Sequence, residues 1–214
     1  MSTFRAWKKI FVEPIPPIFK ELASNVEKVN DPQAFLVNAA IVDHGTLMKS
    51  ETKTIEMHCW KLSANGNIDY EAFRALGLEA DSWMASTCSL DRDRLLSKYD
   101  YGQAENFTES QKNSLLTTYS VRMKTVEQTI GETTGVLNLI LYLQIDAEGW
   151  DCKLLKSMPW HRRDFRPALV NYEFVICSEQ EVVESHELME GLGYKLLTRD
   201  NSETWAYSKC PYPS

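Results

Sequence analysis

The stretch LYLQIDAEGWDCKLLKS, residues 141–157, passes from an apolar run to three acids in quick succession: Asp146, Glu148 and Asp151. Carboxylates at this spacing could take the proton from a hydroxyl or hold a metal ion that lowers a hydroxyl's pKa. They could also act as the acid pair of a sugar hydrolase. Strand side chains alternate with period two, so Asp146 and Glu148 share one face if the strand persists past Ile145. Gly149 then permits a sharp turn into a helix. Asp151 falls in that helix's first turn, where its charge complements the dipole, and reads as a cap or first-turn residue. The plain alternative for Asp146 and Glu148 is a pair of solvated acids on a turn at the sheet's rim. The hydrolase reading is the weaker one, because both acids stand on one strand and no partner appears across a cleft.

Glu13 is the other acid placed for chemistry. It ends the short apolar run KKIFVEP, and in α/β folds ligands sit beyond the carboxyl ends of strands, where acids accept hydrogen bonds from ribose hydroxyls. The histidines add little. His58 and Cys59 are sequence neighbours on opposite strand faces, His44 follows Asp43 in a loop, and His161 and His186 stand alone. No Cys/His spacing matches a zinc site, no metal ligand set is expected, and there is no G-x-S-x-G. Among the tryptophans, most read as packing; Trp150 differs by sitting inside the acidic turn.

The elements that must position these acids follow from periodicity. KKIFVEP reads as a strand, stopped by Pro14 and Pro16. PPIFKELASNVEKV places Ile18, Phe19, Leu22, Val26 and Val29 on one helical face, with Pro17 in the first turn. AFLVNAAIVD is a nearly continuous apolar strand of the kind found in parallel sheets. Residues 45–62 alternate around Ile55, Met57, Cys59 and Lys61 as an antiparallel excursion. Residues 60–118 read as an irregular surface insertion with short helices at IDYEAFRALGLE and SLDRDRLLSKY. Strand and helix then alternate to the end, closing with the strands YKLLTRD and ETWAYSK as an antiparallel hairpin. Gly191 and Gly193 read as a helix C-cap and not as a nucleotide loop. The pattern predicts one α/β domain over 1–214, mostly parallel, with helices on both faces.

Composition bounds the function classes. A formal net charge of -7 argues against nucleic acid and anionic membranes as partners. HRRDFR is interrupted by an aspartate and has no aromatic ladder. No secretory leader is read at the N-terminus, and the apolar run near Val136–Leu143 is too short to cross a bilayer. The five cysteines, 59, 88, 152, 177 and 210, form no C-x-x-C pair and suggest reduced thiols in a cytoplasmic protein. The sequon at Asn106 then reads as chance.

WKKIFVEPIPPIFKELASNV, FLVNAAIVDHGT, VRMKTVEQTI, LQIDAEGWDCKLLKS and RPALVNYEF…ELMEGLGYKLL occur in an order that resembles FkbM-type methyltransferases. These are class I, Rossmann-like enzymes that use S-adenosylmethionine to methylate hydroxyls, often on sugar-bearing molecules. The resemblance covers most of the chain outside the insertion; its most specific elements are I-D-x-E-G ahead of D-x-K-L-L-K and the opening V-E-P-x-P-x-x-F-x-x-L. It implies that Glu13, with Pro14 beside it, binds the cofactor's ribose hydroxyls and that Asn38, Ala39 and Ala40 line the adenine. It further implies that Asp146 faces the methionine end, with Glu148 toward a small-molecule or sugar hydroxyl acceptor. Either acid could be the base or hold a metal.

The chain departs from that family in one respect. The family's first strand and glycine-rich turn should precede the VEP strand, and they are not seen ahead of it. The expectation is therefore an N-terminally truncated form of a longer enzyme, or a remnant that keeps the fold without the catalysis. In that family the absent strand lies between the IFVEP and LYLQID strands, so the inner edges left open would close on each other, recruit a strand from a second copy, which admits a homo-oligomer, or leave a poorly stable domain.

Overall fold

A computed structural model describes residues 7–63, 66–80, 84–85, 87–98, 108–135, 140–199 and 202–208. In chain order the first elements are β1 (Lys9–Val12), α1 (Pro16–Val29), β2 (Ala34–Val37), β3 (Ala40–Ile41), α2 (His44–Lys49) and β4 (Thr54–Trp60). Then come α3 (Tyr70–Arg74), β5 (Cys88–Ser89), α4 (Arg92–Lys98), α5 (Glu109–Leu115), β6 (Leu116–Lys124) and α6 (Val126–Thr133). The chain ends with β7 (Tyr142–Ile145), α7 (Asp151–Ser157), β8 (Leu169–Glu173), α8 (Glu179–Gly191), β9 (Tyr194–Arg199) and β10 (Glu203–Ser208). Two compact units result: Met1–Ala40 with Ser50–Met123, and Ile41–Lys49 with Lys124–Ser214.

The first unit opens with a βαβ motif. β1 and β2 pair in parallel from Lys9↔Ala34 to Val12↔Val37, joined by α1, whose first positions are prolines and whose C-cap, Asn30, adopts the left-handed conformation at φ 52°. Pro lacks the N–H that a first turn would leave unsatisfied anyway, and Asn tolerates the left-handed cap. The predicted long strand AFLVNAAIVD is interrupted. It ends at Val37, and the Asn38 side chain donates to the carbonyls of Glu13 (2.8 Å) and Pro14 (3.0 Å), so β3 is a separate short piece.

β4 pairs antiparallel with β6 along its length and with β5 at His58↔Ser89 and Cys59↔Cys88, as the excursion around Ile55, Met57 and Cys59 predicts. The helices expected in the 60–118 region are present as α3 and α4. The region is more than a surface insertion, since Trp60, Ile68, Phe73, Leu78, Met84, Leu95, Leu96 and Leu115 form a buried cluster. Asp69 caps α3 by accepting from Ala72 N at 3.1 Å.

The second unit carries the sheet β7–β8–β10–β9. β7 and β8 are parallel; β10 returns between β8 and β9, antiparallel to both, which is the C-terminal hairpin expected. Ile145, Val170, Tyr172, Thr204, Ala206 and Tyr194 are buried on the face that receives α8. There His186 Nε2 lies 3.0 Å from Thr204 Oγ1. The other face shows Tyr142 stacked on Trp205, with ring centroids 6.1 Å apart. α6 and α8 each begin with a capping box, Thr125 with Gln128 and Ser178 with Glu181.

Two expectations need correction. The described strands form not one mostly parallel sheet but three, β1–β2, β3–β6–β4–β5 and β7–β8–β10–β9. The pairing is mixed: parallel ladders join β1 to β2 and β7 to β8, while β4 with β5, β4 with β6, β8 with β10 and β9 with β10 are antiparallel. The thiols are not all reduced, since Cys59–Cys88 and Cys152–Cys177 are disulfides. The first joins directly opposed residues on neighbouring strands, and the second brings together two connections at one end of the sheet. Neither proximity exists in the sequence. Cys210, Asn106 and the apolar run at 136–139 lie outside the described residues. No helix among the described residues is long and apolar enough to cross a membrane.

Candidate functional site

The acidic turn sits at the carboxyl end of β7, which the parallel ladder to β8 anchors through Ile145↔Tyr172. The strand stops at Ile145, so Asp146 and Glu148 do not alternate along one extended face as the sequence suggests. The cause is Asp151. Only 1% exposed, it turns its carboxylate back on the loop and accepts from Ala147 N at 2.8 Å and Gly149 N at 2.9 Å. Closing this small ring drives Glu148 to φ 50° and Gly149 to φ 97°. Glycine takes such a conformation freely, whereas a glutamate held there costs about 1–2 kcal/mol. Asp146 is left exposed and Glu148 partly so.

The turn is further pinned from α7. Trp150 is the residue before the helix, and Lys153 Nζ lies 4.5 Å from its ring centroid. Lys153 also reaches Glu181 of α8 at 3.8 Å, while Lys156 pairs with Glu184 at 2.5 Å. Cys152, in the first helical turn, is bonded to Cys177 in the connection from β8 to α8. That connection borders a hollow of about 500 Å³ lined by Phe174, Val175, Cys177, Glu179, Val182 and Val183.

Glu13 follows β1 and extends its pairing by one hydrogen bond, N–H to the Val37 carbonyl at 3.1 Å. Its Oε1 accepts from Ile15 N at 2.7 Å. Partial burial raises the carboxyl above its usual range, opposed by that backbone hydrogen bond. Pro14 supplies no N–H, and its carbonyl and that of Glu13 are taken by Asn38. Asn38 is exposed, whereas Ala39 and Ala40 are buried, Ala40 within a cluster of Ile15, Cys59, Cys88 and Val121.

The structure thus gathers Glu13, Pro14 and Asn38 at one strand end of the first unit, and Asp146, Glu148 and Trp150 at one strand end of the second. Sequence reasoning missed the turn-closing role of Asp151. The signal was present as an acid on the helix's first turn, but its target depends on how the loop folds back. Among the described residues no group of His, Cys, Asp and Glu is placed to hold a metal ion. Gly193 follows α8 at φ 88°, as a cap and not a phosphate loop. No family model, curated protein or solved structure matches this chain.

Proposed function

We propose that this chain is an FkbM-like, S-adenosylmethionine-dependent O-methyltransferase domain of Rossmann-like class, acting on a hydroxyl of a small or sugar-bearing acceptor. The observation that carries the reading is the preformed acidic turn at the carboxyl end of a parallel strand. One carboxylate, Asp151, is consumed in shaping the loop, and that loop presents Asp146 and Glu148 outward. Ligands of α/β sheets gather at such ends.

The residues present suit the cofactor. Glu13 commits Oε1 to Ile15 N, and its second oxygen remains to accept from a ribose hydroxyl; Asn38 holds the two carbonyls beside it in place. The sulfonium of S-adenosylmethionine supplies an already activated methyl group. The protein's part is therefore to align the acceptor in line and, where the hydroxyl requires it, to take its proton at the Asp146 or Glu148 carboxylate. The two disulfides favour an oxidising setting over the cytoplasm expected from composition.

Calorimetry of the full chain with S-adenosylmethionine and S-adenosylhomocysteine tests the reading. Saturable heat is expected, with Glu13→Gln weakening binding about tenfold, or ~1.4 kcal/mol. Absence of heat from both compounds at millimolar concentration would move the assignment to a non-catalytic remnant of the fold.

A further inference from the structure

The position of the Cys152–Cys177 disulfide distinguishes it from the other bridge. β7 and β8 are parallel neighbours, and each cysteine belongs to the connection that leaves the carboxyl end of one of them. The bridge therefore ties the connection that carries the acidic turn to the one that leaves β8. Cys152 directly follows Asp151, whose carboxylate holds Ala147 N and Gly149 N.

The two cysteines differ in exposure. Cys152 is 1% exposed, whereas Cys177 is half-buried and opens on the hollow lined by Phe174, Val175, Val182 and Val183. The Cys59–Cys88 bridge has no such approach, being 0% and 6% exposed within the core of the first unit.

We propose that Cys152–Cys177 is a thiol–disulfide exchange site that sets the rigidity of the acidic turn, with Cys177 Sγ the atom attacked by a dithiol. The dithiol's thiolate bonds to Cys177 Sγ, the Sγ–Sγ bond breaks, and Cys152 leaves as a thiolate that takes a proton. The second thiol then attacks the mixed disulfide, Cys177 is released as a thiol, and the dithiol has become a disulfide after giving two electrons. Access selects the sulfur that is attacked. With the tether gone, the first turn of α7 is held to the β8 connection by side-chain contacts alone.

The test uses the full chain under native conditions with graded dithiothreitol, quenched with N-ethylmaleimide and mapped by peptide mass. Cys152 and Cys177 are expected to label together at a reductant concentration at least tenfold below that needed for Cys59 and Cys88. Opening of Cys59–Cys88 at the same or lower concentration, or labelling of Cys152 without any reductant, overturns the site. Hydrogen exchange at the intermediate concentration reads the consequence: the Ala147 and Gly149 amides should exchange about tenfold faster, and unchanged exchange overturns control of the turn. Cys177→Ser should show the fast exchange without reductant. If that variant fails to fold, graded reduction of the unaltered chain decides. None of these readouts involves a methyl donor, so their failure is distinguishable from failure of the proposed activity.

Discussion

At the scale of single residues, Asp151 and Glu13 show how a carboxylate's neighbours decide its use. Asp151 bonds two backbone N–H groups from near-complete burial, and truncating it strands both donors. Asp151→Ala should lower unfolding free energy by about 3 kcal/mol, measured by urea titration, because an unsatisfied buried donor costs ~1–3 kcal/mol. Asp151→Asn keeps one acceptor oxygen and should lose roughly half as much. Glu13 runs the other way. Its folded pKa is raised, so the proton it gains stabilises the fold below the unfolded value of 4.5, and that contribution is lost as pH rises through the folded pKa. Glu13→Gln keeps an acceptor for Ile15 N without a charge to bury. The variant should therefore gain stability relative to the parent near neutral pH, and the gain should fade as the medium is made acidic enough to protonate the parent's carboxyl, with melting curves under the two conditions as the check. On the proposed role of Glu13 in holding the cofactor's ribose, a loss of S-adenosylmethionine affinity alongside that gain is the expected trade. Glu13 and Asp146 were legible as rim acids because strand ends can be read from apolar runs. The grip of Asp151 on the loop was not, because it depends on a fold-back that periodicity does not encode.

At the scale of elements, the helices were the most readable parts, for identifiable reasons. α1 announces itself by prolines at its start and by Ile18, Phe19, Leu22 and Val26 at helical spacing. α8 opens with S-x-x-E, and Ser178 Oγ accepts from Glu181 N at 3.3 Å while Glu181 returns to the Ser178 N–H at 3.0 Å. That N–H bond, the largest cause, holds the Glu181 carboxyl below its ordinary value. Ser178→Ala should cost about 1 kcal/mol in chemical denaturation. The part contributed by ionised Glu181 is present above the unfolded pKa and lost as pH falls through the folded one. Strand pairing was less legible. AFLVNAAIVD reads as one strand because its apolar letters are continuous. It breaks because Asn38 turns its amide to the Glu13 and Pro14 carbonyls, a tertiary contact 25 residues back in the chain for the first of them. The 60–118 region looked irregular because its core is assembled from scattered residues, Trp60 to Leu115, with no period to detect.

At the scale of the whole molecule, each compact unit carries one disulfide, with Cys59–Cys88 in the first and Cys152–Cys177 in the second. The bridges close separations of 29 and 25 residues, which restrict the unfolded chain by about 3–4 kcal/mol each on loop-entropy grounds. Their effects should be local to the unit that holds them, since removing a constraint from one core leaves the other core's packing in place. In a Cys59→Ala/Cys88→Ala variant, amide exchange of β4 and β6 should accelerate by two orders of magnitude or more, while that of β8 and β10 stays close to the parent. Cys152→Ala/Cys177→Ala should give the mirror image. If either pair of substitutions speeds exchange equally in both sets of strands, the units unfold as one cooperative body, and the independence of the two cores is wrong.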